Sequence, residues 1–410
     1  MKKTLAAVAV LGAFAGSALA ADVQLYGIVD TGVGYNHVDM DSLDGGTLYN
    51  NDNGKAAYSF ADSDSFSMMS GQASGSRWGL KGTEDLGNGL TVGFILEDGF
   101  TSDNGADSAP MFNRESSLFV QGGFGKFAMG RMGSLNNGQS SWAKVGMVSA
   151  FGTSDWGGYS AQLGNIFSLA GQWDNMVAYE TPSFAGFKVY AQYAMGSNDN
   201  ENESSSDRYY AIGATYNNGP FAGYFAVDSI NYQTSGAKID DKYIDDSLTV
   251  TLGGSWNFEV AKVYFGAQYF DEVKLSSIGG ITKTTVSDVN LSKLDKLLPD
   301  VTVGALVKVK GYGISLTADA PVAGGKAMFG VGYVDAEAAD SIQDALKDAN
   351  TDVDLDLKRY VVSVGYDYPF SKRTDVYAIA SYMQDQVDAG TPEDWDPSAY
   401  TLYVGLRHRF

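Results

Sequence analysis

The feature that most constrains this chain is a two-residue period of apolar and polar side chains that recurs along its length. Between Leu248 and Trp256, the residues Leu, Val, Leu, Gly and Trp alternate with Thr, Thr, Gly and Ser, and the same pattern recurs from Val23, Phe187 and Ala261. Because successive side chains of a strand point to opposite faces, each segment is predicted to be a β-strand with one apolar face. An excess of glycine (50), tyrosine (25) and phenylalanine (21) over proline (8) also favours many short strands.

The connections between these segments alternate between short and long. The short ones contain Gly and Asn typical of tight hairpin turns, and they lie at 86–89, 122–125, 182–186, 217–220, 257–259, 320–325 and 369–372. The long ones lie near 37–74, 101–111, 132–174, 196–206, 231–246, 271–310, 335–357 and 385–398. Seven turns and eight loops make fifteen connections, which predicts sixteen strands. An even strand count with short turns on one side is typical of bacterial outer-membrane barrels, whereas a soluble β-sandwich does not need this alternation.

Residues 1–20 are predicted to be a secretory signal peptide. Lys2 and Lys3 precede an apolar run from Thr4 to Ala15, and Ala18-Leu19-Ala20 resembles a cleavage site. We expect cleavage after Ala20. The alternative, an uncleaved anchor, is disfavoured because the run is shorter than the roughly 20 residues that span a bilayer.

Composition excludes several classes of protein. Removing Lys2 and Lys3 leaves 26 basic residues against 49 acidic ones, a net charge of −23, which argues against a nucleic-acid partner. No mature segment has the 18 consecutive apolar residues of a helical membrane span, and without Cys there can be no disulfides. A bilayer admits β structure only as a closed barrel. The predicted fold is therefore all-β: a sixteen-stranded antiparallel transmembrane barrel that forms a single domain over residues 21–410.

One long connection, residues 131–174, is rich in Gly, Ser, Asn and aromatic residues and lacks a convincing run of secondary structure. Loops longer than about 15 residues without structure are uncommon in a compact domain and are often functional. If the flanking strands belong to a wide barrel, the loop can fold inward and narrow the lumen. The alternative is an excursion on the surface.

The last predicted strand, Tyr400–Phe410, shows the period most clearly. One face can contact lipid, with Tyr400 and Phe410 near the two membrane interfaces, and the other can face water. The lipid-facing set is Tyr400, Leu402, Val404, Leu406, His408 and Phe410. Among the long loops, Ile342–Lys347 is compatible with a short helix.

Several stretches resemble a known family: Val23–Asp30, Ser76–Gly87, Asn113-Arg114, Gly123–Gly125, Gly130-Arg131, Asp174–Pro182 and Gly405–Phe410. Together they resemble the trimeric diffusion porins of Gram-negative bacteria, of the Neisseria-like and Comamonas-like type, over essentially the whole mature chain. The resemblance implies an outer-membrane homotrimer in contact with lipid and lipopolysaccharide, with a third long loop folded into the pore. It also implies a water-filled channel for ions and small hydrophilic solutes, and recognition of Phe410 by the barrel-assembly machinery.

In that family, arginines on the barrel wall face acidic groups on the inward loop. The matching positions are Arg77 and Arg114 on the wall and Arg131 at the base of the loop. Strand parity also places Arg77 in the lumen, since it alternates with Trp78. Placing Arg114 inward puts Glu115 outward, near a loop or a trimer contact. The alternative for each arginine is a charge at an interface or in a loop.

The chain also departs from the family. Where related loops carry Pro-Glu-Phe-Gly, this one reads Ser149–Gly152, so that Asp155 is the nearest substitute for the loop carboxylate. A position that is often Arg is Ala178, and Lys144 adds a positive charge to the loop. The predicted constriction therefore has a weaker pattern of positive and negative charges than the constriction of the family. With acidic outer loops that attract cations, we expect weak selectivity with a modest lean toward cations.

Two alternatives share the barrel. Trp142, Trp156 and Trp173 can serve as a stacking track in a sugar-selective porin, or as packing anchors that hold the loop to the wall. The acidic outer loops are also compatible with an adhesin.

An enzyme is disfavoured. The mature chain has only two histidines, His37 and His408, and neither has a partner at a recognisable spacing. Gly-x-Ser-x-Gly, P-loop and dinucleotide-binding motifs are absent from the sequence. We therefore predict no catalytic residues, cofactor or metal.

Overall fold

The computed structural model describes residues 23–40, 62–107, 110–196, 207–232, 245–275, 278, 308–348, 356–388 and 396–410. The predicted signal peptide and parts of seven of the eight long loops lie outside these residues. The described strands are β1 Gln24–Asp39, β2 Ser63–Ser70, β3 Arg77–Gly87, β4 Leu90–Gly99, β5 Glu115–Gly122, β6 Gly125–Gly133, β7 Gln172–Glu180, β8 Phe187–Ala194, β9 Arg208–Asn218, β10 Phe221–Asn231, β11 Leu248–Asn257, β12 Lys262–Lys274, β13 Lys308–Val322, β14 Gly325–Ala338, β15 Asp356–Pro369, β16 Thr374–Asp388 and β17 Ser398–Arg409.

The strands close into a barrel. From β3 onward each strand pairs antiparallel with the next, and β17 pairs with β1 from Ile28–Arg409 to Asp39–Ser398. Two strands share one position, because β2 pairs with one half of β1 and β3 with the other half. The seventeen strands therefore occupy sixteen positions. The alternation of short and long connections correctly predicted the sixteen positions, although β2 lies within the long loop predicted near 37–74.

The two faces of the barrel differ as the two-residue period predicts. In β17, Leu402, Val404 and Leu406 are exposed, whereas Thr401 and Tyr403 are buried. An exposed apolar band alternating with polar inward side chains suits a barrel whose outer surface contacts lipid. We call the buried side of the strands the inner face.

The turns also follow the sequence. Between β3 and β4, Gly87, Asn88 and Gly89 all have positive φ, a conformation that Gly and Asn adopt at low cost in tight hairpins. The predicted short helix is found as α1, Asp340–Asp348. Two 3₁₀ turns, Val145–Val148 and Leu163–Asn165, lie in the connection between β6 and β7. Among the described residues, no helix is long and apolar enough to cross a membrane.

Candidate constriction site

The connection between β6 and β7, residues 134–171, is bound to strands on many sides of the barrel. We call it the long inner-face loop. Its backbone N–H groups donate to side chains of the inner face: Leu135 N to Gln192 Oε1 of β8 (2.9 Å), Ser168 N to Gln268 Oε1 of β12 (2.6 Å), Ala150 N to Thr317 Oγ1 of β13 (2.8 Å) and Ala161 N to Ser363 Oγ of β15 (2.8 Å). In addition, Thr401 Oγ1 of β17 donates to Gly157 O at 3.1 Å. These polar contacts hold the loop against strands from β8 to β17.

Aromatic side chains fix the same loop. Trp142 is 1 % exposed and packs in a cluster with Tyr190 of the barrel wall, and Trp156 is 5 % exposed. Trp156 Nε1 donates to Phe151 O at 2.7 Å. Because the faces of both indole rings are covered by protein, they offer no stacking surface to a sugar. The structure therefore favours the packing-anchor alternative for these two residues.

Trp173 lies at the start of β7 and is partly buried. Its ring stacks on Tyr209 with 5.3 Å between ring centroids. One face of this indole is thus occupied by the wall itself.

A cavity of about 330 Å³ lies between the loop and the first strands of the barrel. It brings together three predicted site residues, Arg114, Arg131 and Asp155. Apart from Phe100, the rest of the lining is polar or small: Ser70, Gly71, Gly75, Ser76, Gly99, Thr101, Asn113, Gln139 and Gln172. Residues from the wall and from the tip of the loop, which we define as residues 155–157, thus meet at one site.

Arg77 and Arg114 share a carboxylate. Arg114 Nε donates to Glu97 Oε1 at 2.7 Å, and Arg77 Nε lies 3.5 Å from Glu97 Oε2. Tyr26 also donates its hydroxyl to Glu97, at 3.0 Å. Arg114 is 8 % exposed and uses Nη1 to bond Gln139 of the loop at 2.9 Å. Glu97 of β4, which the sequence analysis did not single out, therefore compensates two wall charges.

Arg131 is compensated in the same way. Its Nη1 donates to Asp174 Oδ1 at 2.6 Å, and its Nε donates to the carbonyl of Asn113 at 2.7 Å. These charge-assisted hydrogen bonds join β6 to β7 and to the segment that precedes β5.

Asp155 differs from these arginines. Its side chain is exposed to the cavity, and among the described residues we find no donor to its carboxylate. The surrounding protein restricts the water around it, and this desolvation raises the pKa of Asp155. The cavity therefore contains one carboxylate that no cation neutralises directly.

Lys144 does not line this cavity. Its Nζ donates to Ser141 O at 2.8 Å and lies 5.5 Å from the centroid of the Tyr190 ring. Burial against the wall lowers the pKa of Lys144 through desolvation. Its charge acts at a different place in the loop from that of Asp155.

Further arginines hold the inner face together. Arg407 of β17 donates to Asp375 at 2.9 Å and to Asp367 at 3.0 Å. Arg359 of β15 is paired with Asp385 and donates to the loop carbonyl of Asn165 at 3.0 Å. Strand parity predicts that Arg407, which lies outside the lipid-facing set of the last strand, faces water. Parity does not identify its two carboxylates, which lie more than thirty residues away in sequence.

The expectation that Glu115 points outward is wrong. β5 begins at Glu115, and Arg114 precedes it in irregular backbone, so strand parity does not link the two side chains. Glu115 is buried and accepts hydrogen bonds from Ser141 N at 2.7 Å and Ser117 Oγ at 2.8 Å. Parity counted from the exposed Leu118 would have placed Glu115 on the inner face.

A family model described as Gram-negative porin matches residues 6–388 of the chain. The chain belongs to the Gram-negative porin family. This porin is 33 % identical to an outer membrane porin of Bordetella pertussis and 28 % identical to outer membrane porin protein 32 of Delftia acidovorans, in each case over the full length of both chains. Among solved structures, the anion-selective porin from Comamonas acidovorans is similar, with a TM-score of 0.63 at 24 % identity, covering 95 % of this chain and 100 % of that chain.

These findings confirm the resemblance and the function class. The porin is a general diffusion channel of the bacterial outer membrane. Its family and fold are those of channels rather than enzymes. The likeness to the Comamonas structure shows the fold alone. The ion preference of this chain has to be argued from its own residues.

Proposed function

We propose that the loop of residues 131–174 lies inside the lumen, where it forms the constriction of this porin. A sixteen-stranded barrel is wide enough to enclose an aqueous channel. The hydrogen bonds from Ala150, Ala161 and Ser168 to inner-face side chains of β13, β15 and β12 support this placement. A surface excursion would not reach side chains on that face of so many strands.

Passage through such a channel needs no covalent chemistry. Small hydrophilic solutes cross in water, and the space between the loop and the wall sets the size limit. Charges that line this space bias which ions enter. Arg77, Arg114, Arg131 and Asp155 are the proposed constriction residues, and Lys144 is a secondary charge of the loop.

We further propose weak selectivity with a modest preference for cations. The observation that carries this proposal is the cavity where Arg114 and Arg131 have carboxylate partners and Asp155 has no direct cationic partner. Paired charges of opposite sign produce a smaller field at a distance than a single charge. The net charge of −21 for the full chain adds a general attraction for cations.

The absence of cysteine from the sequence makes the placement of the loop directly testable. In Asp155→Cys, the new thiol is the only one, and a bulky, charged, membrane-impermeant thiol reagent added to a planar bilayer should lower the single-channel current in steps. Asp103→Cys, in the exposed loop between β4 and β5, is the matched control and should react without changing the current. Full labelling of Asp155→Cys with an unchanged current would place the loop outside the conduction path.

We also propose that the porin assembles as a homotrimer. The outer face of β1, β2 and β15–β17 carries an apolar groove of about 580 Å³, lined in part by Val33, Phe66, Val364 and Leu402. Burial of such a groove by a second copy removes apolar surface from lipid contact and allows close packing. The mass of the purified complex in mild detergent tests this: a trimer is expected, and a monomer under native conditions contradicts it.

Two processing steps remain proposals that follow from the sequence. Mature protein should begin at Ala21, which N-terminal sequencing can check.

Phe410 exposes its ring at the end of the last strand. Its backbone N–H donates to Gly27 O at 3.0 Å, and its carbonyl accepts from Gly27 N at 3.1 Å. If the assembly machinery recognises this ring, Phe410→Ala should lower the yield of folded barrel more than Phe370→Ala, a change at an exposed ring in a turn.

A further inference from the structure

The short segment between β2 and β3 leaves the sheet. On β1, only two residues separate the paired positions Ile28 and Thr31, whereas six residues, 71–76, separate their partners Ser70 and Arg77. Six residues cannot stay in a ladder opposite two, so they project out of it. Gln72, which is 6 % exposed, lies in this segment. We call residues 71–76 the inner platform.

The barrel wall fixes the inner platform from one side. Asp30 Oδ2 of β1 accepts hydrogen bonds from Ala73 N at 3.0 Å and Ser74 N at 2.7 Å. Tyr377 of β16 donates to the other oxygen of Asp30 at 2.5 Å, and Arg407 Nη1 donates to Ser74 Oγ at 2.9 Å. Three strands therefore hold the platform in place.

The tip of the long inner-face loop rests on the other side of the platform. Trp156 N donates to Gln72 O at 2.8 Å, and Gly157 N donates to Gln72 Oε1 at 2.7 Å. One residue thus accepts two consecutive amide groups of the loop. Gln72 Nε2 donates back to Ser70 O at 3.0 Å, which orients the side-chain amide.

The backbone of the tip is unusual at this contact. Trp156 has φ +48° and Gly157 has φ +87°, so both lie in the left-handed region. This conformation is unfavourable for a residue with a β-carbon and persists where surrounding contacts fix it. Gln72 supplies such contacts, and Asp155 immediately precedes the strained tryptophan.

We propose that Gln72 is a positioning residue of the constriction, because it holds the left-handed loop tip and so fixes Asp155 at the cavity. The inference rests on the proposed placement of the loop in the lumen. Other contacts also hold the tip, including the edge-to-face packing of Trp156 on Tyr377 with 5.4 Å between ring centroids. Loss of the Gln72 acceptor therefore frees the tip locally and leaves the rest of the loop anchored.

The test compares three variants in single-channel recordings. Gln72→Met keeps the length of the side chain but removes the carboxamide, and Gln72→Glu keeps an acceptor oxygen at the same distance from the backbone. We expect Gln72→Met to visit reduced or noisy current levels roughly tenfold more often than the unmodified protein, as expected when a hydrogen bond that selects one of two states is lost. Gln72→Glu keeps the acceptor for Gly157 N but loses the donor to Ser70 O, so its current noise should lie between that of Gln72→Met and that of the unmodified protein. Gln121→Met, an exposed position at the end of β5, is the matched control and should stay quiet.

A second measurement separates the two proposals. In the Gln72→Met background, the reactivity of Asp155→Cys toward the thiol reagent should rise, because the tip moves more freely. If labelling of Asp155→Cys lowers the current but Gln72→Met leaves both the noise and the reactivity unchanged, the role of Gln72 is wrong and the placement of the loop stands. If labelling never affects the current, the placement itself fails.

Discussion

The wall and the loop tip contribute charges to the same site, but only the wall charges have a nearby partner of opposite sign. Arg77 and Arg114 belong to the wall and share Glu97, whereas Asp155 belongs to the loop tip and has no described donor to its carboxylate. The wall charges are thus compensated within a few ångströms, and the loop charge is not. The number of arginines near a pore therefore does not by itself set the sign of its selectivity; the partner of each charge also matters.

The largest change should come from reversing a wall charge. Arg77→Glu replaces a partner of Glu97 with a second carboxylate and changes the local charge by two units. We expect the ratio of cation to anion permeability to rise by roughly tenfold, on the basis of Coulomb energies at short range in a water-rich site. Reversal potentials in a salt gradient measure this ratio.

Lys372→Glu makes the same charge change in the exposed turn between β15 and β16 and serves as the control. It should shift the ratio far less, because solvent and salt screen it. An equal ratio in both variants would remove Arg77 from the constriction.

The next effect should come from removing the shared partner. Glu97→Gln leaves Arg77 and Arg114 without their carboxylate, so selectivity should move toward anions by roughly threefold. Uncompensated charges at a buried pair also destabilise a protein by about 3 kcal/mol. Thermal unfolding in detergent should therefore show a lower midpoint for Glu97→Gln than for Glu84→Gln, an exposed position on β3. Unchanged selectivity would mean that the ions do not sense the arginine pair.

A smaller effect is expected at the loop tip. Asp155→Asn removes the unpaired carboxylate and should lower the cation preference by roughly twofold, because it removes one unit of charge whereas Arg77→Glu changes the local charge by two. Asp103→Asn removes the same charge from an outer loop and should have little effect on the reversal potential. A larger effect from Asp103→Asn would locate the selectivity at the mouth instead of at the constriction.

The smallest effect concerns pH. Desolvation raises the pKa of Asp155. Its carboxylate should therefore take up a proton at a higher pH than an exposed aspartate, whose pKa is about 3.9. The cation preference should fall in this window, and the Asp155→Asn variant should lack the step. Because the folded barrel binds this proton more tightly than the unfolded chain does, the same titration raises stability as the pH falls. A step that persists in Asp155→Asn would assign it to another group.

Much of the fold could be predicted from local pattern. The alternation of turns and loops correctly predicted sixteen strand positions, and the period of two correctly divided Leu402 from Thr401. These features depend on neighbours in sequence and on the geometry of one strand. The inner-face position that strand parity predicts for Arg77, from its alternation with Trp78, stays a prediction.

The features that local pattern does not predict depend on contacts between residues that are distant in sequence. The sequence pattern places most of the inner platform in the long loop near 37–74, because a run of Ser and Gly carries no period and its partners, Asp30 and Tyr377, lie on β1 and β16. The role of Glu97 follows from its meeting with two arginines from other segments. Parity reasoning failed at Glu115 because the start of a strand cannot be located to one residue from sequence.

The most direct measurement is the reversal potential of the unmodified porin in a salt gradient at neutral pH. If the wall arginines are compensated and Asp155 is not, the potential should be small and its sign should indicate a modest preference for cations. A clear preference for anions would contradict this account, because it would mean that the arginines act on passing ions despite Glu97 and Asp174.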